Sequence, residues 1–151
     1  MPVYPFDLKW EDAYAKRLSQ LKPDSERKFG TLDATQMLRH MRLSYEMACG
    51  ETDLEPAPIP LGKLVFHIVT GPVKIWPGGK LKAPAYWSPP AEHDFDEEMR
   101  LLTQSMSRFL EKLVDAPGEV NAHPMMGKLT VKEWSKLLGP HLNHHLRQFG
   151  L

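Results

Sequence analysis

The sequence predicts an all-α fold, namely a four-helix bundle with an additional N-terminal helix and an excursion rich in proline and glycine. Apolar residues in segment 94–114 recur alternately every four and three positions, which is the spacing of one face of an amphipathic helix. Two other segments open with a capping-box pattern, in which Asp33 precedes Gln36 and Thr130 precedes Glu133 by three positions. A parallel βαβ arrangement has no support, because strands do not alternate with helices and no internal repeat is present.

The remaining helices follow from periodicity and from the residues that stop it. Pro23 ends the first apolar pattern and Gly50 ends the second. Segment 61–73 is ambiguous, because its β-branched residues would also suit a strand, and we interpret it as a helix. Pro140 lies inside the last helix and predicts a kink over residues 136–140. The five predicted helices cover residues 8–21, 33–49, 61–73, 94–114 and 130–149.

Three connecting segments separate these helices. Residues 51–60 contain three prolines and are predicted to form a loop. Residues 76–90 contain four prolines and the pair Gly78-Gly79, so we expect an irregular excursion over the surface or a pocket mouth, with a lid as one interpretation. Residues 117–129 are predicted to be a loop that leads through His123 to the last helix.

Composition narrows the classes of protein to consider. The 151 residues are expected to form one domain, residues 1–151. Lys plus Arg and Asp plus Glu number 19 each and no basic block is present, so nucleic acid is not an expected partner. The apolar stretch 61–76 is short and interrupted by polar residues, so no membrane role is expected. A single cysteine, Cys49, and an opening without a secretion-signal pattern favour a cytoplasmic location.

Three histidines form the candidate functional site. His141 and His145 lie four positions apart, so on a helix both rings project from one face. Their stripe also carries Trp134 and Leu138, which places it toward the core, and His40 lies on the inward stripe of another helix. Three ring nitrogens could therefore hold one divalent metal ion and leave a position for water or substrate, as in catalytic zinc sites. This ligand set suits Zn, Ni, Fe or Cu, and the sequence does not choose among them.

The alternative interpretation is that His141 and His145 lie on an ordinary polar surface of the helix and bind no metal. His144 points about 100° away from His145 and is expected to be exposed or at an interface. His123 is a candidate acid–base residue, since it lies in the loop before the last helix and could reach the pocket. Cys49 is a poor nucleophile candidate, because a helix C-terminus disfavours a thiolate. Ordinary helix or loop roles are expected for His67 and His93.

Three segments together resemble a known group of proteins. They are FGTLDATQMLRH at residues 29–40, HP through GKLT and EW at residues 123–134, and HLNHHLRQFG at residues 141–150. Their order and spacing resemble the DinB/YfiT-like superfamily of metal-dependent four-helix bundles, in particular a branch described as a domain of unknown function. The resemblance implies a dimeric bundle whose three metal ligands align with His40, His141 and His145.

Two functions from different classes are consistent with these observations. The first is a metal-dependent enzyme that acts on a small-molecule substrate, either transferring a low-molecular-weight thiol, as characterised relatives in the wider superfamily do, or hydrolysing a small compound. The second is a noncatalytic, dimerising or ligand-binding bundle in which the metal is structural or absent. In either case a homodimer is expected. The residue pattern favours a fold and a metal site more strongly than a reaction.

Overall fold

Helices dominate the computed structural model, which describes residues 4–52, 59–71 and 85–151. Within these ranges the helices and strands, in chain order, are α1 (Lys16–Leu18), α2 (Ala34–Ala48), α3 (Gly62–Thr70), α4 (Phe95–Asp115), β1 (Val120–His123), β2 (Gly127–Thr130) and α5 (Val131–Gln148). A π-helical turn, Glu11–Ala15, leads into α1, and a 3₁₀ turn, Ala85–Trp87, precedes α4. None of the helices within the described ranges is long and apolar enough to cross a membrane.

The core lies mainly between α2 and α4, with α5 packed against both. Met37, Met41 and Tyr45 follow one stripe of α2 and are fully buried. Met106 and Phe109 of α4 are also fully buried. Burying an apolar side chain of this size contributes about 1.5–3 kcal/mol. This apolar packing keeps α2 and α5 in place, and these two helices carry the histidines of the candidate site.

Both predicted capping boxes are present and fix where α2 and α5 begin. The Asp33 carboxylate accepts a hydrogen bond from the Gln36 backbone N–H at 2.8 Å, and the Gln36 side chain accepts one from the Asp33 N–H at 3.1 Å. Thr130 and Glu133 make the same reciprocal pair. These contacts satisfy amide groups that have no partner within the helix.

The helices otherwise follow the predictions closely, except at the N-terminus. Segment 61–73 is helical over Gly62–Thr70, so helix was the correct choice over strand. The first helix, predicted over residues 8–21, is shorter and starts as the π-helical turn. Before it, Phe6 pairs with the last helix, since its N–H donates to the Ser135 carbonyl at 2.9 Å and its carbonyl accepts from the Ser135 hydroxyl at 2.8 Å. These two hydrogen bonds attach the segment before the first helix to α5.

The all-α prediction is wrong for residues 120–130, which form an antiparallel hairpin instead of a loop. Val120 pairs with Thr130 and His123 pairs with Gly127. The hairpin is held by tertiary contacts: the Asn121 side chain donates to the carbonyl of Ala48 at 2.9 Å. With four residues per strand, the alternation of buried and exposed positions is too short to be recognised in the sequence.

Two further predictions concern proline-rich regions. Residues 76–84 of the predicted excursion lie outside the described residues, as does most of the predicted loop 51–60. The end of the excursion is described, and there Trp87 is only 5% exposed, so this part packs into the core. Helix α5 continues through Pro140 without interruption, and the predicted kink stays a prediction.

Candidate metal centre

Helices α2 and α5 bring three histidine side chains together inside the protein. His40 lies near the middle of α2, on the face that packs toward α5. His141 and His145 lie one turn apart on α5, as their spacing requires. The three residues are 4%, 6% and 8% exposed, so the cluster is shielded from bulk water. The interpretation of α5 as a polar, exposed surface therefore does not hold at these positions.

The three rings present their Nε2 atoms to one another. The Nε2 atom of His141 is 2.9 Å from that of His40 and 3.1 Å from that of His145. One ligand atom from each residue lies within 4.8 Å of the other two, a spacing that could hold a metal ion. Two nitrogens bound to one ion at about 2.0–2.1 Å are about 2.8–3.4 Å apart for bond angles of 90–109°. Both short separations fall in this range.

Hydrogen bonds on the outer side determine which nitrogen of two rings carries the hydrogen. His40 Nδ1 lies 2.8 Å from the main-chain carbonyl oxygen of Trp87, which can only accept, so Nδ1 carries the hydrogen. His145 Nδ1 lies 3.0 Å from Oε1 of Gln148 and donates to it in the same way. In the neutral rings of His40 and His145, Nε2 is therefore unprotonated, and its lone pair faces the cluster.

The three facing Nε2 atoms carry fewer hydrogens than would be needed for a hydrogen bond at each of their two short contacts. With both outer Nδ1 atoms protonated, only Nε2 of His141 could place a hydrogen between the three facing nitrogens. At most one hydrogen then serves contacts of 2.9 and 3.1 Å. When Nε2 of His141 carries no hydrogen, a cation between the three nitrogens would interact favourably with all three lone pairs, so the donor set fits a divalent metal.

Burial keeps the three rings neutral, as metal ligands must be. Desolvation lowers the pKa of His40 to about 4, against a smaller opposing effect of the hydrogen bond to Trp87. Desolvation also holds the pKa of His141 and His145 well below the usual range, and the neighbouring histidines lower both further. The charges that act on these rings come from other histidines, and no acidic side chain in the described ranges joins the cluster.

Trp87 is a site residue that the sequence analysis missed. Its ring centroid lies 5.4 Å from that of His40 and 5.8 Å from that of His141. Its indole N–H donates to the Ser44 hydroxyl at 2.9 Å, one helical turn beyond His40. Trp87 is thus attached to α2 at two successive turns and forms one wall of the cluster. A large aromatic at the end of a proline-rich stretch was the available signal.

His123, the predicted acid–base residue, lies in the hairpin and is only 1% exposed. Its Nδ1 accepts hydrogen bonds from the backbone N–H groups of Met125 and Met126, both at 3.1 Å. Burial lowers the pKa of His123 to about 3, which makes the ring a weak base at neutral pH. Its ring packs beside Trp87, 5.1 Å between centroids. The acid–base role stays a prediction, and these contacts limit it to the Nε2 atom.

The other singled-out residues lie away from the facing nitrogens. His67 and His93 are exposed, as expected for ordinary positions. His144 is partly buried beside Phe29, with ring centroids 5.5 Å apart, so its side chain is not fully exposed, and the alternative of an interface position stays a prediction. Cys49 is buried, and desolvation raises the pKa of its thiol to about 11, which agrees with its rejection as a nucleophile.

The structure thus defines a mostly helical protein with a buried three-histidine cluster that could hold a metal ion. Residues 5–150 match the family described as "Protein of unknown function (DUF1569)". The match covers nearly the whole chain, and the protein belongs to this family. No curated protein and no solved structure matches it.

Proposed function

We propose that the protein is a metal-dependent enzyme in which His40, His141 and His145 bind one divalent ion, Zn, Ni or Fe, through their Nε2 atoms. The convergence of the three Nε2 atoms carries the proposal, since two of them are lone pairs held inward by outer hydrogen bonds. Three nitrogen ligands leave a coordination position open, which is the pattern of catalytic rather than structural sites.

The surroundings of the cluster favour an activating role. When bound, the ion would lower the pKa of a coordinated water or thiol toward neutrality, which generates a nucleophile. Trp87 shields the rings on one side, and the absence of a carboxylate among the described neighbours leaves the positive charge of the ion uncompensated. A negatively charged fourth ligand is therefore favoured, either a thiolate or a hydroxide.

We further propose that the protein is a four-helix bundle of the DinB/YfiT-like superfamily that acts on a small molecule as a homodimer. Two of the resembling segments support this, because residues 29–40 and 141–150 supply all three histidines of the cluster. By analogy with characterised members, the reaction is the transfer of a low-molecular-weight thiol, with hydrolysis of a small substrate as the other reaction that the same ion would support.

Metal analysis tests the proposal directly. Protein purified without a nickel column should contain about one equivalent of a divalent metal, and the His145→Ala variant should contain none while keeping its helical circular dichroism. His67→Ala, which changes an exposed histidine of α3, is the matched control and should keep the metal. Equal metal content in the two variants would refute the assigned ligands.

Burial of the cluster favours a second function, a noncatalytic bundle with a structural metal. Every proposed ligand is at most 8% exposed, as in sites that only hold helices together. Thiol-transfer and hydrolysis assays with and without a chelator separate the two functions. Activity that disappears with the chelator and returns with added metal supports the enzyme. A metal-loaded protein that is inactive, and that loses stability when the chelator removes the metal, supports the structural role.

A further inference from the structure

The segment before α2 packs onto the last turn of α5. The backbone N–H of Lys28 donates to the carbonyl of Gln148 at 2.6 Å. Gly30 has a φ of +80° and lies directly over the Gln148 side chain, where a Cβ on Gly30 would come within 3.0 Å of Cδ and nearer still to Nε2. The left-handed conformation favours glycine at this position, and a Cβ added there could be accommodated only if the Gln148 amide moved away.

This contact leaves the amide of Gln148 little freedom. The residue is 3% exposed, with Gly30 against its Nε2 and with its Oε1 3.0 Å from Nδ1 of His145. An oxygen facing Nδ1 selects the ring form that carries its hydrogen on Nδ1. That form leaves Nε2 of His145 unprotonated and pointing at His141, 3.1 Å away.

The other ring with a described outer partner depends less on a side chain. His40 Nδ1 has the main-chain carbonyl of Trp87 as its nearer partner, at 2.8 Å, and the Ser88 hydroxyl at 3.2 Å. No single side-chain substitution removes that carbonyl. For His145 the described outer partner is a side-chain amide, so substitution at Gln148 can change how the ring is held.

We propose that Gln148 is a positioning residue that holds His145 in its metal-binding form, and that Gly30 is required because only glycine leaves room for the Gln148 amide. The proposal rests on the proposed function of His145 as a metal ligand. Outer partners of histidine ligands typically change metal affinity by about 10–100-fold when removed. The proposal gives a specific role to the glycine that precedes α2.

Two variants and a matched control test this role. Gln148→Met keeps a similar volume and removes the acceptor, and Gly30→Ala adds one methyl group against the amide. Gly127→Ala is the control, because Gly127 has nearly the same φ, +78°, and an added Cβ there meets nothing within 4 Å. Gln148→Glu is the conservative variant, since it keeps an acceptor oxygen facing Nδ1.

The first measurement needs no metal. Nitrogen-15 NMR of the ring nitrogens in metal-free protein at pH 7.5 should show the hydrogen of His145 on Nδ1 in the wild type and in Gly127→Ala. In Gln148→Met and Gly30→Ala the hydrogen should move partly or wholly to Nε2. An unchanged ring form in both variants would overturn the positioning role. If Gly30→Ala does not fold, the Gln148→Met result decides alone.

The second measurement is a Co²⁺ titration followed by visible absorption. Gln148→Met and Gly30→Ala should bind Co²⁺ about 10–100-fold more weakly than the wild type, whereas Gly127→Ala and Gln148→Glu should bind at least as tightly. Unchanged affinity in the first two variants would also overturn the role. A wild-type protein that binds no Co²⁺ or Zn²⁺ would instead refute the proposed function, and the NMR result would still decide how Gln148 acts on His145.

Discussion

Lowering the pH should destabilise the metal-free protein through His123, and the size of the effect follows from the structure. Burial lowers the pKa of His123 from 6.5 to about 3, and its Nδ1 already accepts two backbone hydrogen bonds. The folded protein therefore keeps this ring neutral while the unfolded chain takes up a proton below pH 6.5. The stabilising contribution is complete above pH 6.5 and is lost as the pH falls toward 3. At pH 5 the loss from this residue is about 2 kcal/mol.

Urea unfolding between pH 7 and pH 5 measures this contribution. His123→Asn removes the titrating ring but keeps an oxygen that can accept from the same two amides. Its free energy of unfolding should fall less steeply with decreasing pH than that of the wild type, by about 1.4 kcal/mol per pH unit below pH 6.5. The range ends at pH 5 because most carboxylates titrate below it.

The control is His67→Asn, which removes an exposed histidine. The free energy of unfolding of this variant should depend on pH as steeply as that of the wild type. If the slope were the same in His123→Asn and the wild type, the ring would not be buried and neutral as described. The wild type should lose more stability than His123 alone explains, because burial also lowers the pKa of His40.

Two further predictions concern packing away from the cluster. Glu98 is fully buried and pairs with Arg42, whose Nε lies 3.0 Å from a carboxylate oxygen, so Glu98→Gln should lower the free energy of unfolding by about 3 kcal/mol in urea titrations. Glu97→Gln changes a half-exposed residue of the same helix, which pairs with the exposed Arg100, and should have little effect; equal effects of the two substitutions would contradict the buried pair. Gly139→Ala should cost about 1–3 kcal/mol, since an added Cβ would clash with main-chain atoms of the N-terminal segment. Gly118→Ala is the control, because a Cβ there meets nothing within 4 Å, and it should not destabilise the protein. If Gly139→Ala were as stable as Gly118→Ala, α5 and the N-terminal segment would not be in contact at Gly139.

Local sequence patterns predicted the parts of the structure that depend on neighbours in the chain. The capping pairs that begin with Asp33 and Thr130 act over three residues, and both form. The four-residue spacing of His141 and His145 places both rings on one helical face, and the inward stripe of α2 places His40 opposite them. Each of these features is determined by helical geometry, which repeats every 3.6 residues whatever the tertiary fold.

The features that sequence reasoning missed depend on contacts between distant segments. The main-chain carbonyl of Trp87 contacts His40, which lies 47 positions earlier in the sequence. A contact between such distant residues leaves no periodic pattern in the sequence. The hairpin forms where Asn121 caps a carbonyl at the end of α2, 73 positions earlier in the chain. No pattern in the sequence distinguishes Gln148 from other polar residues near a helix end, and only its contacts with Gly30 and His145 reveal how its amide is oriented.

The separation of the clustered histidines along the chain affects when an ion can be acquired during synthesis. Nε2 of His40 faces Nε2 of His141, which lies 101 positions later in the chain. At about 5–20 residues per second, a ribosome needs about 5–20 s to extend the nascent polypeptide from the first proposed ligand, His40, to the second, His141. The last two ligands then emerge almost together, within one helical turn. Under the proposed function, the three-ligand site is therefore complete only after the ribosome has made the chain through His145, and metal loading follows that point.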